Sequence, residues 1–259
     1  MNMHIQRFQL RNVTVSLVLF AVFTGDHRLQ AAPITIANPS FEAPVQVDGG
    51  YDLLLPPNQQ GTYGWTIGDS AGIYNPTALD YATAGGNGTP AGADGSQVGF
   101  VFGFGDYTIE QQLAGPDEIL NNGDDPVLAA NAIYRLTVAV GQRQIGNQYG
   151  ATYGGYDFML IAGIGVDAKV IARETDAVTP TPGTFVDRTI VVDSATLDPS
   201  LYGLPLTILL RKTVQNATAD TDYDHVRMDA EIVPEPTSLA LALLSGIGAI
   251  WACRRLKKR

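Results

Sequence analysis

Between Pro33 and Val233 the sequence contains short runs in which apolar and polar residues alternate, and no long run with the 3.6-residue period of a helix. The clearest run is 132–140 (AIYRLTVAV), where every second residue from Tyr134 to Val140 is apolar and shares one face. Glycine, proline, asparagine and aspartate separate these runs, as they do in turns. Because strands and helices do not alternate as they do in βαβ units, the pattern predicts an all-β fold, an antiparallel β-sandwich. The other predicted strands are 34–37, 64–67, 97–104, 107–113, 156–162, 166–172, 185–193, 206–211 and 223–232.

Charge and cysteine usage restrict the function. The whole chain has a formal charge of −10, and residues 33–233 hold all but two of its 26 acidic residues. Such a surface repels phosphate backbones, so we expect no nucleic-acid partner. The single cysteine, Cys253, lies near the C-terminus, and the predicted domain therefore has no disulfide and depends on its core, or on a core and a metal.

The N-terminus has the features of a secretory signal peptide, which we assign to residues 1–32. Arg7 and Arg11 supply the positive region, and 13–23 is an apolar stretch too short for an ordinary membrane span. We expect a signal helix that is removed near Ala32, with an uncleaved N-terminal anchor as the alternative.

The C-terminus, residues 234–259, combines three features in order. Pro234, Glu235 and Pro236 come first, an uncharged stretch within 237–253 follows, and five basic residues beginning with Arg254 and Arg255 end the chain. The apolar stretch is near the short limit for a transmembrane helix, so a plain C-terminal anchor is one interpretation.

This order resembles the PEP-CTERM sorting signal of bacteria that make exopolysaccharide. The resemblance implies recognition by an exosortase and cleavage near the Pro-Glu-Pro segment, where the prolines keep the chain extended. It predicts an exported protein at the cell surface or outside the cell, held only transiently in the membrane by its C-terminal helix.

Residues 33–233 resemble the galactose-binding-like jelly roll found in many carbohydrate-binding modules. The motifs that carry the resemblance occur in sequence at 38–42 (NPSFE), 64–66 (GWT), 94–97 (DGSQ), 109–113 (IEQQL), 134–138 (YRLTV) and 224–228 (DHVRM). The resemblance implies two packed antiparallel sheets with the first and last strands close together.

No catalytic group stands out in this domain. Its single histidine is His225, and no pair of carboxylates is distinguished from the other acidic residues. Asp220, Asp222 and Asp224 form a D-x-D-x-D run that is not an EF-hand, because His225 takes the loop position that requires glycine. Asp224 shares its parity with Val226, which predicts that its carboxylate faces the core.

The jelly-roll resemblance implies a structural calcium ion held by Glu42 and Asp224, with turn capping or solvent exposure of both as the alternative. Aromatic rings are the usual platforms for sugars, which makes Trp65, Tyr149, Tyr153 and Tyr156 the candidate glycan contacts. Core packing is the alternative for Trp65.

Together these features predict a non-enzymatic surface or matrix protein that binds glycan or partner surfaces in an exopolysaccharide or biofilm layer after exosortase processing. Its expected partners are the exosortase, exopolysaccharide and, before processing, the membrane. A purely structural matrix protein without a ligand and a glycoside-active enzyme are the two alternatives.

Overall fold

A computed structural model describes residues 31–53, 64–68, 70–81, 92–144 and 152–233. All of them belong to the compact unit Ala31–Arg259. They form thirteen strands and three single-turn 3-10 helices, which confirms the predicted all-β class. The strands are β1 Ala32–Ile34, β2 Tyr51–Asp52, β3 Thr66–Ile67, β4 Ala71–Tyr74, β5 Val98–Phe102, β6 Thr108–Gln112, β7 Ala132–Gln142, β8 Thr152–Tyr153, β9 Asp157–Ala162, β10 Lys169–Thr175, β11 Thr184–Asp193, β12 Leu206–Arg211 and β13 Ala219–Ile232; the helices are η1 Gly165–Asp167, η2 Ser194–Thr196 and η3 Pro199–Leu201.

The strands form two sheets. Sheet A has the order β11-β7-β13-β5-β4-β2, and β1 and β8 also pair with β13. Sheet B has the order β10-β9-β12-β6-β3. Neighbours are antiparallel except for β8, which runs parallel to β13. The antiparallel β-sandwich predicted from the sequence is therefore confirmed.

Alternation along the strands builds the core between the sheets. In β7, the side chains of Tyr134, Leu136, Val138 and Val140 are buried in this core, as the sequence predicted. The side chains of Leu206, Ile208 and Leu210 on β12 face them from sheet B. Burial of apolar area at about 25 cal/mol per Å² is the main stabilising contribution in such a core.

A second apolar cluster lies on the opposite face of sheet A. It includes Ala139, which lies between two core residues of β7 and therefore points the other way. Tyr74 and Tyr81 belong to this cluster and Leu53 packs against it, and their two segments are joined by the Gly49 N–H donating to the Asn75 carbonyl at 2.8 Å. The cluster consists of Tyr74, Tyr81, Val98, Phe100, Ala139 and Phe185.

A β-bulge in β13 changes which side chains share a face. The register with β7 shifts between Asp224 and Arg227, and His225 within the bulge has a φ of 44°. Before the bulge, Asp224 pairs with Ala139 on the second-cluster face, whereas Val226 and Met228 lie in the core between the sheets. The prediction that Asp224 shares a face with Val226 was wrong, because parity does not carry through a bulge.

The two ends of the chain lie largely outside the described residues. The residues that the structure does not describe include all of the predicted signal peptide except Ala31 and Ala32, and the whole of 234–259. Among the residues that are described, no helix is long and apolar enough to cross a membrane. The domain boundaries, export and surface location stay predictions.

Candidate functional site

A cavity opens on the second-cluster face of sheet A. It has a volume of about 140 Å³ and brings together residues that are far apart in sequence. An apolar cavity of about 150 Å³ is large enough to bind benzene, so this one is large enough for one ring of a ligand. It is lined by Tyr51, Leu53, Tyr74, Phe100, Phe102, Arg143 and Asp220.

The register of β13 against β5 positions the acidic side chain of the cavity. Asp220 pairs with Phe102, and Asp222 pairs with Phe100. Because successive side chains on a strand alternate between faces, both carboxylates and both rings lie on the same face of sheet A. The cavity is therefore a row of aromatic rings with a carboxylate at one side.

Arg143 follows the end of β7 and is buried among these groups. Its Nε and NH2 donate to the two carboxylate oxygens of Asp222, each at 2.8 Å. Its guanidinium carbon lies 4.2 Å from the ring centroid of Tyr74 and 5.7 Å from that of Phe100. The planar guanidinium is thus fixed by a two-pronged ion pair on its edge and aromatic rings on its face.

Asp220 has a different environment. One carboxylate oxygen lies 2.7 Å from NH1 of Arg143, but neither oxygen accepts an aligned hydrogen bond within the described structure. Burial raises the pKa of Asp220 to about 8; the nearby charge of Arg143 opposes the rise and that of Asp222 adds to it. A buried carboxyl group at an aromatic cavity, with a raised pKa and without an aligned hydrogen bond, has the properties of a proton donor near neutral pH.

Two tyrosines complete the polar surroundings. Tyr81 donates its hydroxyl proton to Asp222, and burial followed by the charge of Asp222 raises the pKa of Tyr81. The Tyr74 hydroxyl donates to Asp80 at 2.6 Å, and burial followed by that hydrogen bond raises the pKa of Tyr74. Both phenols therefore stay neutral donors whose protons point away from Asp220.

The described aromatic residues that were candidate glycan contacts are at least partly buried. Trp65 stacks on Phe41 with 5.1 Å between ring centroids and donates its indole N–H to the Asn38 carbonyl at 3.0 Å. Tyr156 is fully buried and donates to Glu174, and Tyr153 is half-buried on β8. Trp65 and Tyr156 therefore have no ring face open to a sugar. Tyr149 lies outside the described residues.

Glu42 and Asp224 meet at one turn, residues 94–97. The Glu42 carboxylate accepts the backbone N–H groups of Ser96 at 2.8 Å and Gln97 at 2.7 Å. Asp224, fully buried, accepts the N–H of Asp94 at 2.6 Å. Burial raises the pKa of Asp224 to about 8, and the negative charges of Asp94 and Glu42 add to the rise.

These carboxylates are oxygen ligands of the type that a hard cation prefers. Within the described residues, no three acidic, histidine or cysteine side chains converge closely enough to form a metal group. A calcium ion at this turn would thus have Glu42 and Asp224 as its acidic ligands and would draw on backbone carbonyls and water for the rest. The five residues assigned to the sorting signal, Pro234, Glu235, Pro236, Arg254 and Arg255, lie outside the described structure.

Comparison with known proteins assigns the chain to a family. The family model described as HpiC1 cyclase matches residues 32–229, which is more than half of the chain. The chain belongs to the HpiC1-like cyclase family. No curated protein sequence matches it significantly.

Several solved structures are similar to this chain across most of its length. An apo cyclase from Fischerella sp. is 25% identical, with a TM-score of 0.60 over 79% of this chain and 98% of that one. The Stig cyclase Fisc from Fischerella sp. TAU, in complex with (3Z)-3-(1-methyl-2-pyrrolidinylidene)-3H-indole, is 24% identical, with a TM-score of 0.61 over 79% and 100%. A cyclase from the same source, in complex with 4-(1H-Indol-3-yl)butan-2-one, is 24% identical, with a TM-score of 0.60 over 79% and 100%.

The family assignment corrects three predictions made from the sequence. The chain belongs to a cyclase family rather than to the PEP-CTERM proteins, and that family consists of enzymes, so the non-enzymatic surface function was wrong. The exosortase, exopolysaccharide and membrane partners were wrong as well, since the structural relatives bind small molecules. The resemblance to the PEP-CTERM sorting signal rests on residues 234–259, which lie outside the residues that the family model matches.

Sequence reasoning missed the cavity residues Arg143, Tyr74 and Phe100. One signal was present in the D-x-D-x-D run, whose period of two places Asp220 and Asp222 on one face of a strand. Three carboxylates on one buried face require a nearby cation, and Arg143 is one of only eight basic residues in 33–233.

Proposed function

We propose that this chain is a cyclase that holds a small, largely apolar ring compound in the cavity and starts ring closure by protonating it from Asp220. The carboxyl group of Asp220 supports this most directly, because it is buried, lacks aligned hydrogen bonds and faces aromatic rings. A pKa of about 8 keeps its proton on at neutral pH.

The proposed reaction is an isomerisation that needs no oxidant or reductant. The Asp220 O–H transfers its proton to a carbon of a substrate C=C bond, and the π bond becomes a C–H bond and a carbocation. A second π system of the same molecule attacks the cation and forms the ring bond. The cyclised cation then loses a proton to solvent and becomes the neutral product, and Asp220 takes up a proton from solvent to regain its acid form.

The cavity suits both charges formed in this step. The aromatic rings of Tyr51, Phe100 and Phe102 present electron-rich surfaces that attract a cation. The new carboxylate of Asp220 lies 2.7 Å from NH1 of Arg143, which stabilises it. The apolar lining also excludes water, which would otherwise capture the carbocation.

Indole compounds are the substrate class we infer for this chain. Two structural relatives were solved with indole ligands, and the cavity volume of about 140 Å³ accepts one ring, with the rest of the molecule extending towards the opening.

Turnover of a defined probe tests this function. The probe is an indole whose C3 side chain ends in a trisubstituted alkene, and the cyclised product is separated from it by liquid chromatography. With full-length protein, Asp220→Asn should reduce the rate by about 10²–10⁴-fold, the usual contribution of a general acid. The control Asp198→Asn, in an exposed turn where asparagine caps equally well, should leave the rate unchanged. Unaltered turnover by Asp220→Asn would rule out the proposed acid.

A structural calcium ion at the turn 94–97 is a second, separate proposal. It is favoured by Asp224, a fully buried carboxylate whose nearest charged neighbours are acidic. A bound calcium ion would supply the missing positive charge, with Glu42 and Asp224 as its acidic ligands. We also propose the jelly-roll topology of galactose-binding-like domains, which the pairing of β1 with β13 supports.

A further inference from the structure

Asp220 and Arg143 line the cavity, Asp222 lies next to them, and the three groups are not arranged symmetrically. Asp222 receives two aligned hydrogen bonds from Arg143, each at 2.8 Å, and a third from the Tyr81 hydroxyl. Asp220 receives one close contact of 2.7 Å from Arg143 without hydrogen-bond alignment. The guanidinium is thus oriented by Asp222.

The orientation of Arg143 is fixed by an ion pair and by an aromatic ring. The ion pair with Asp222 holds its edge, and the ring of Tyr74, whose centroid is 4.2 Å away, lies against its face. The backbone of Asp222 is held in the middle of sheet A, between Phe100 of β5 and Gly141 of β7, and its carboxylate is held by hydrogen bonds from Arg143 and Tyr81. Arg143 therefore cannot turn to make two aligned hydrogen bonds with Asp220 while Asp222 is in place.

Charge balance assigns different protonation states to the two carboxylates. Two buried carboxylates with one cation between them would carry a net negative charge, which is costly in an apolar site. The carboxylate with three hydrogen bonds is the one that is stabilised as an anion. The remaining carboxyl group, Asp220, keeps its proton.

We propose that Asp222 is a positioning residue that occupies Arg143 through a two-pronged ion pair and thereby leaves Asp220 as the neutral proton donor of the cavity. This inference rests on the proposed function for the identity of the acid. It assigns a role to Asp222, which does not line the cavity and would not contact the substrate.

Other charged and titratable groups also face Asp220. Besides Asp222 and Arg143, these are Asp80 and Tyr81 from the segment 74–81 and Lys212 after β12. Lys212 donates at 2.8 Å to the Val214 carbonyl and has no hydrogen bond to Asp220 within the described residues. Arg143 is therefore the cation whose release from Asp222 would change the pKa of Asp220 most.

The test exchanges the partners of Arg143. In Asp222→Asn the guanidinium loses its anion and becomes the counter-ion of Asp220. The pKa of Asp220 should then fall by about 1–3 pH units, the usual effect of an opposite charge in contact. In the double variant Asp222→Asn/Arg143→Met the cation is gone as well, and the pKa of Asp220 should return to its wild-type value or above. A purely structural role for Asp222 would leave the pKa of Asp220 unchanged in Asp222→Asn.

The readout is the carboxyl titration of Asp220 in full-length protein labelled with ¹³C at the aspartate carboxyl carbon, with Asp220→Asn to assign the resonance. Wild-type protein should show Asp220 protonated at pH 7, and an ionised Asp220 at that pH would overturn the inference even if no variant folds. An unchanged pKa in Asp222→Asn, or a double variant without recovery, would overturn it too. If Asp220→Asn keeps full turnover of the alkenyl indole, the proposed function fails; if it loses turnover and the titration does not respond to Asp222→Asn, only this inference fails.

Discussion

The fully buried carboxyl group of Asp224 leads to a prediction about stability, pH and calcium. Burial is the main reason why its pKa rises from 3.8 to about 8, and the negative charges of Asp94 and Glu42 contribute. The N–H groups of Asp94 and His225 donate to it and oppose the rise. In the absence of divalent cations, we expect the folded protein to become less stable as pH increases.

The direction follows from the proton held by each state. Between pH 4 and pH 8, roughly, the folded protein keeps the Asp224 proton that the unfolded chain has lost, so raising the pH favours unfolding. Each pH unit costs about 1.4 kcal/mol, and the interval amounts to at most about 6 kcal/mol. This contribution is fully present below about pH 4 and is lost as pH rises through 8. Calcium at a hundredfold excess over its Kd would restore about 2.7 kcal/mol at high pH.

The assay is urea unfolding of full-length protein at pH 5, 6.5 and 8, with chelator and with calcium, in wild type and Asp224→Asn. Wild type in chelator should lose stability with pH, and calcium should recover part of that loss at pH 8. The variant should lack the calcium effect and should lose less stability with pH than wild type does; its own cost of about 1–3 kcal/mol, from a lost hydrogen bond, is independent of pH. The similar contribution of Asp220 cancels, because both proteins keep it. If the free energy of unfolding falls equally with pH in the two proteins in chelator, Asp224 does not cause the loss of stability.

Two further substitutions test the fold around the site. Asp157 is fully buried and accepts hydrogen bonds from Arg173, Arg211 and Thr175. Asp157→Ala should destabilise the protein by about 1–3 kcal/mol in urea unfolding, because both arginines are partly exposed and can rehydrate. A change below about 0.5 kcal/mol would contradict this expectation. A Cβ on Gly99 would lie 2.7 Å from the Phe41 ring, so Gly99→Ala should destabilise the protein by about 1–3 kcal/mol. The matched control is Gly123→Ala, because a Cβ there would have no atom within 4 Å. Equal urea-unfolding midpoints for the two variants would show that Phe41 can move.

The fold could be predicted because alternation is a local property. In β7, buried and half-buried side chains alternate from Ala132 to Val138. The face of Asp224 could not be predicted, because the bulge at His225 depends on packing against β7 rather than on a turn motif.

The cavity could not be predicted for a different reason. Its residues come from β2, β4, β5, the end of β7 and the start of β13, and only the strand order of sheet A brings them together. The carboxylates of 220–224 were visible in the sequence, but their partner Arg143 lies about eighty residues earlier and in no motif. The resemblance to a sorting signal involved residues 234–259, whereas the residues that we propose for the reaction lie in and next to sheet A.

Solvent deuterium labelling of the cyclisation product tests the central claim, that Asp220 delivers the proton which starts ring closure. Full-length protein is incubated with the alkenyl indole in deuterium oxide, and the product is analysed by mass spectrometry and NMR. We expect one deuterium per product molecule at the former alkene carbon in wild type, and a loss of product by about 10²–10⁴-fold in Asp220→Asn. Product without deuterium, or labelled product formed by Asp220→Asn at the wild-type rate, would contradict it.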